Sequence, residues 1–194
     1  MAVSDLKSKN ILIEIGIAFA LYWICLALVY PFELLKSSPI TYYLYLPAGI
    51  KLFTILIFRW RAVIGVALAS SIRLIYSDPT QPWLAWIAVA TAAALALYLV
   101  VEIVLRALKI DQDLSNLGYY QIVLLAALTS VVNGFVFSYG VSILTNANLS
   151  EDVFHRSFLA VIGNFAGNAL FVCLMMLLIR HKLSIINFFK KNYS

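Results

Sequence analysis

Charge is scarce in this chain. Only 12% of its 194 residues are charged, where a soluble domain carries roughly 25%, and that shortage excludes an ordinary water-facing surface. Cysteine and histidine are nearly absent, at two each. Cys25 and Cys173 both fall inside apolar runs and read as small core residues, not as a disulfide or a thiolate metal pair. His155 and His181 border opposite ends of the last apolar run, too far apart to share a site. Zinc-ligand spacing, a phosphate-cradling glycine loop and a nucleophile beside a plausible base are all missing. The expectation is a protein that is not an enzyme and that carries neither a cofactor nor a metal.

Apolar sequence is what fills the space. Hydrophobic residues make up 63% of the chain and the mean hydropathy is +0.95. Crossing a hydrocarbon core of ~30 Å takes roughly 20 such residues in a helix. Six runs stand out, at about 11–31, 41–58, 62–77, 82–106, 119–144 and 157–179. The first is longer than a signal-peptide core and no clear small-residue cleavage site follows it, so it reads as a retained helix. Short polar or proline-bearing stretches separate the runs, and none is long enough for a second domain. The ten-residue alternation of a membrane β-barrel is absent. The predicted fold is therefore all-α, a single transmembrane bundle of about six helices over residues 1–194.

Orientation follows from the basic residues. Lys7, Lys9, Arg59, Arg61, Arg106, Lys109, Arg180, Lys182, Lys190 and Lys191 fall on one face of the predicted topology, which is ten of the fourteen lysines and arginines. Only Lys36 and Arg156 lie opposite. The positive-inside rule then puts both termini in the cytoplasm of a bacterial inner membrane. The net charge of +5 is accounted for by contact with anionic headgroups of the lipid bilayer. Nucleic-acid binding would need a basic face on a soluble module, and none is present. The tail Phe188-Phe189-Lys190-Lys191 reads as an interfacial anchor.

Polar residues within the runs carry the functional information, because an ionisable group in hydrocarbon costs a few kcal/mol or more unless paired or hydrated. Glu14 and Glu102 lie near cytoplasmic ends and read as interfacial. Lys51 sits near the midplane, where snorkelling is difficult. Arg73, Asn133 and Asn164 belong to the outer half, and Asn168 lies one turn deeper than Asn164, at the level of Lys51. Lys51, Arg73, Asn133, Asn164 and Asn168 either line one polar cavity for a ligand or form interhelical hydrogen bonds. Gly163 and Gly167 form a GxxxG step, a flat strip that admits a close neighbour, within the chain or across a homo-oligomer seam. Pro47 and Gly49 predict a kink in the second helix beside Lys51.

Tyr45-Leu46-Pro47-Ala48-Gly49-Ile50, followed by Phe58-Arg59-Trp60-Arg61 and Gly65, resembles the membrane-associated sensor (MASE-type) domains of bacteria, which open on an aromatic-x-Pro-x-Gly step. Val161 to Gly167 resembles the late Gly-Asp-x-x-Gly segment of that family, with asparagine at 164 in place of aspartate. The resemblance covers about residues 40–180. It implies a free-standing sensor or scaffold module that lacks the family's cytoplasmic output and signals through a partner protein; the missing aspartate separates it from any family ligand site. Two other classes fit the same length and topology. One is a substrate-binding transport subunit of the energy-coupling-factor kind, although the alanine-x-x-x-alanine pattern of such subunits is missing from the first helix. The other is a structural accessory subunit of a larger membrane complex.

Overall fold

A computed structural model of the protein describes residues 2–111, 114–145 and 152–180. The basic tail, His181 and the loop 146–151 lie outside the described residues, as do the side chains of Lys7, Lys9 and Arg180. The chain is all-α, with helices α1 (Ala2–Val29), α2 (Pro47–Phe58), α3 (Trp60–Ser77), α4 (Trp83–Ala107), α5 (Tyr119–Leu144) and α6 (Val153–Arg180). Helices satisfy their own backbone polar groups, which lipid cannot do. Four stretches are long and apolar enough to cross a bilayer: Asn10–Val29, Trp83–Ala107, Tyr119–Leu144 and Val153–Leu177. Large apolar side chains such as Leu12, Ile13 and Ile24 on α1, and Leu174 and Met176 on α6, point outward, as befits lipid-facing surfaces. The protein is a polytopic helical membrane protein.

The second and third runs differ from the sequence expectation. α2 has only twelve residues, about 18 Å at 1.5 Å per residue, too short for a ~30 Å core. α3 has eighteen, but with Arg61, Ser70, Ser71 and Arg73 among them it falls outside the apolar spans. The six runs thus correspond to six helices, four of them long and apolar and two, α2 and α3, shorter. α2 packs against all five other helices, and nine of its twelve residues are buried. It is the axis of the bundle, with α1, α3, α4, α5 and α6 in an arc around it.

Pro47 does not kink α2; it begins it. Proline lacks an N–H, and the first turn of a helix has no acceptor for one, so Pro47 sits at the position where it is best tolerated. Gly49 instead serves packing: a Cβ there would collide with the Phe171 side chain and lie 3.1 Å from the Gly167 carbonyl. Residues 36–46 form an irregular segment where the sequence predicts helix from 41. Lys36 bridges to Tyr42, the Tyr43 N–H donates to Leu35 O at 2.8 Å, and the Tyr45 N–H donates to Gly163 O at 2.9 Å. Irregular backbone at membrane depth persists only when enclosed by protein or lining a cavity; Ile40, Thr41, Tyr42, Tyr45 and Leu46 are all buried.

The glycine strip of α6 faces the segment before α2 as well as α2 itself. A Cβ on Gly163 would strike the Tyr42 carbonyl, and one on Gly167 the Tyr45 carbonyl. The absent side chains make room for the backbone of the segment before α2. A third close approach was not singled out from the sequence: Gly134 of α5 lies against Val161 and the Ser157 carbonyl of α6, beside Asn133. At the other end of the bundle Arg59 alone links α2 to α3, with φ 54°, a left-handed conformation in which a non-glycine residue is uncommon.

Candidate ligand pocket

The segment before α2 and four helices bring the polar residues together. Lys51 projects from the second turn of α2, Arg73 from the C-terminal half of α3, Asn133 from α5 and Asn164 from α6. With Tyr45 and Ser70 they line one cavity of about 40 Å³. A water needs about 10–15 Å³ by that measure, so the space holds about three. The cavity lies in the half of the bundle that carries the α1–α2, α3–α4 and α5–α6 connections. Asn168 is not on its wall. It lines an adjoining space of about 10 Å³ together with Lys51, Ser130, Asn133 and Asn164.

Arg73 is the best-held group. Its Nη1 donates to Tyr45 Oη at 3.1 Å and its Nη2 to the Ile40 carbonyl at 2.8 Å, while Nε is buried without a hydrogen-bond partner. Its Cζ stands 5.0 Å from the ring centres of both Tyr42 and Tyr45. Lys51 Nζ lies 5.3 Å from the same Tyr45 ring and 5.5 Å from that of Tyr22. Tyr22 and Tyr45 join their hydroxyls at 2.6 Å. Ring faces attract a cation within about 6 Å through their quadrupole, but they accept hydrogen bonds only weakly. Both cations are more than nine-tenths buried, and among the described residues no ion pair reaches either. The ion pairs found are Arg59–Glu102, Arg61–Glu14 and Arg106–Glu102, all at the opposite end.

Asn168 Nδ2 donates to Ser130 Oγ at 2.9 Å and to the Ala126 carbonyl at 3.3 Å, tying α6 to α5. Its Oδ1 is buried with no hydrogen-bond partner, in the wall of the one-water space. Beyond it a third cavity of about 240 Å³ is almost wholly apolar, lined by Gly49, Phe53, Ile57, Leu117, Phe171 and Met175, with Asn168 at its border.

Of the five residues proposed from the sequence, four thus meet at one cavity and the fifth lines its neighbour. Tyr22, Tyr42, Tyr45 and Ser70 were not proposed as pocket residues. Tyrosines in an apolar run read as packing or interfacial residues, and nothing in their spacing says that three of them surround two cations. Arg156 was placed with the loop residues, but α6 begins at Val153, and Arg156 is buried with Nη2 donating to the Ser138 carbonyl at 3.3 Å. The lining carries two cations and no described carboxylate, and its hydroxyls and amides, among them the buried Thr41 Oγ1 and Ser70 Oγ that have no hydrogen-bond partner, can donate or accept. No family model, curated protein or solved structure matches the chain.

Proposed function

We propose that the protein is a non-enzymatic sensor module of the bacterial inner membrane that acts through a partner protein, and that the cavity at Lys51 and Arg73 receives its signal. The observation that carries this reading is the convergence of polar side chains from α2, α3, α5 and α6 on one small cavity, beside a central helix that touches every other. Occupancy at that point would alter the packing of α2, which touches every other helix. The resemblance of residues 45–50 and 161–167 to MASE-type sensor segments supports the same class. Both termini are cytoplasmic in this proposal, which opens the cavity toward the outside.

The test is site-specific photocrosslinking in living cells from lipid-facing positions, Leu12 and Ile24 on α1 and Leu174 and Met176 on α6. One discrete protein adduct should form, and Lys51→Met should change its yield severalfold without changing the amount of protein in the membrane. Adducts to lipid alone at all four positions would refute action through a partner.

A transport subunit is the second reading, favoured by the sequence of cavities. The polar cavity shares Lys51, Asn133 and Asn164 with the one-water space, which shares Asn168 with the apolar cavity. Solute flux into liposomes containing the purified protein would favour this reading over sensing.

A further inference from the structure

We propose that the polar cavity is a binding site for a small water-borne monoanion, of the size of a carboxylate group or nitrate, held between Lys51 and Arg73. This rests on the reading of that cavity as the signal site and names the chemistry of what enters it.

The charge count argues first. Lys51 and Arg73 flank one tyrosine ring, both are buried, and no described carboxylate pairs with either. A buried guanidinium keeps its charge and calls for a counter-charge or hydration, and a buried lysine needs the same to stay protonated. Tyrosine faces and a backbone carbonyl offer partial compensation without neutralising two charges. Unused donors argue second. Arg73 Nε–H has no hydrogen-bond partner, and neither have the Thr41 and Ser70 hydroxyls on the same wall, which can donate as well as accept. The amides of Asn133 and Asn164 stand on the same wall. An anion is the ligand that answers charge and donors together.

Size argues third. Space for about three waters suits a group of three or four heavy atoms and is too small for a sugar acid or a phosphorylated metabolite. A lipid headgroup presents similar chemistry from a different source, and the experiment separates the two.

The purified full chain in nanodiscs of phosphatidylcholine is heated while its unfolding midpoint is read against sodium formate, acetate or nitrate. Ionic strength is held constant with sodium gluconate, an anion too large to enter. The small anions should raise the midpoint saturably in the millimolar range, gluconate should not, and replacing sodium by choline should change nothing. Lys51→Met and Arg73→Gln should each weaken the apparent Kd tenfold or more. Asn164→Asp, which puts a carboxylate into the cavity, should raise the midpoint in gluconate and abolish the response to added anions. A midpoint that follows gluconate equally, that follows the cation, or that shows no saturable dependence overturns the proposal. So does a response that needs phosphatidylglycerol in the disc and ignores the salts, since that would assign the cavity to a lipid. If the variants do not fold, the selectivity of the unaltered protein decides. The crosslinked partner is indifferent to these results: its loss with anion binding intact removes the sensor reading alone, and the reverse outcome removes only the anion.

Discussion

The two halves of the bundle handle positive charge in opposite ways. At the end where α2 turns into α3, Arg61 Nη1 meets Glu14 Oε2 at 2.7 Å and Arg59 Nη1 meets Glu102 Oε1 at 3.4 Å, with all four side chains between 21% and 29% exposed. Toward the other end, Lys51 and Arg73 are enclosed among tyrosine rings with no described carboxylate beside them. The first arrangement is what a membrane interface allows: water and headgroups solvate the partners, so each pair contributes only about 0–1 kcal/mol. The second persists against a desolvation penalty of several kcal/mol per ion. Paired charges near water call for little explanation in terms of function, whereas unpaired buried ones point to a missing counterpart.

That contrast can be broken most sharply at the backbone that encloses the buried pair. Gly167→Leu would drive a side chain into the Tyr45 carbonyl and displace the segment that holds Tyr42 and Tyr45 over Arg73. Overpacking of this kind typically costs about 1–3 kcal/mol and more where backbone cannot yield, so the upper end of that range or loss of the fold is expected. Gly16→Leu, where nothing lies within 4 Å of the added Cβ, should leave the unfolding midpoint in detergent almost unchanged. Equal melting of the two variants would mean that the irregular segment is not seated on α6.

The next largest effect separates the two buried cations from each other. Arg73→Met leaves the Ile40 carbonyl without its donor and the Tyr45 hydroxyl with Tyr22 alone, and an orphaned buried group costs about 1–3 kcal/mol. Lys51→Met removes a buried charge that has no described carboxylate beside it, so in buffer containing only large anions it should raise stability by about 1 kcal/mol. For a chain of this size that is about 2–4 °C in midpoint. If both substitutions shift the midpoint in the same direction, the distinction between a bonded arginine and a lysine lacking a counter-ion is wrong.

The smallest effect belongs to the paired end. Arg61→Met should lower stability by less than about 1 kcal/mol, and raising the salt concentration should shrink the difference further, because exposed pairs are screened. A loss as large as that of Arg73→Met would erase the contrast between the halves.

Much of the architecture was legible because lipid leaves so few choices. The long apolar runs that became α1, α4, α5 and α6 had to be helices, since only hydrogen bonds within the segment satisfy backbone in hydrocarbon. The second run misled for a specific reason: residues 41–46 contain no charge, glycine or proline, so hydropathy joins them to α2, where the backbone is irregular first and helical only from Pro47. Pro47 itself marked the boundary, since proline is at home in a first helical turn, but it was read as a kink. One further signal was available and unused. Between Glu33 and Asp78 the chain holds Lys36, Lys51, Arg59, Arg61 and Arg73 and not one acid, so any carboxylate partner must come from elsewhere in the fold. Arg59 and Arg61 find theirs in Glu102 and Glu14.

By itself the sequence determined that the chain is helical and membrane-embedded, because composition and run length decide which solvent a segment can tolerate. It also determined which polar residues interrupt the apolar runs, because that is read from their order along the chain. Only the tertiary structure decided which of them face one another. Depth is a coordinate along the helix axis, and it leaves the rotation of each helix and the choice of its neighbour open. The packing of α2 at the centre and the entry of residues 36–46 against Gly163 and Gly167 turned Lys51, Arg73, Asn133 and Asn164 toward one cavity. The same packing set tyrosines, and no described acid, beside the two cations.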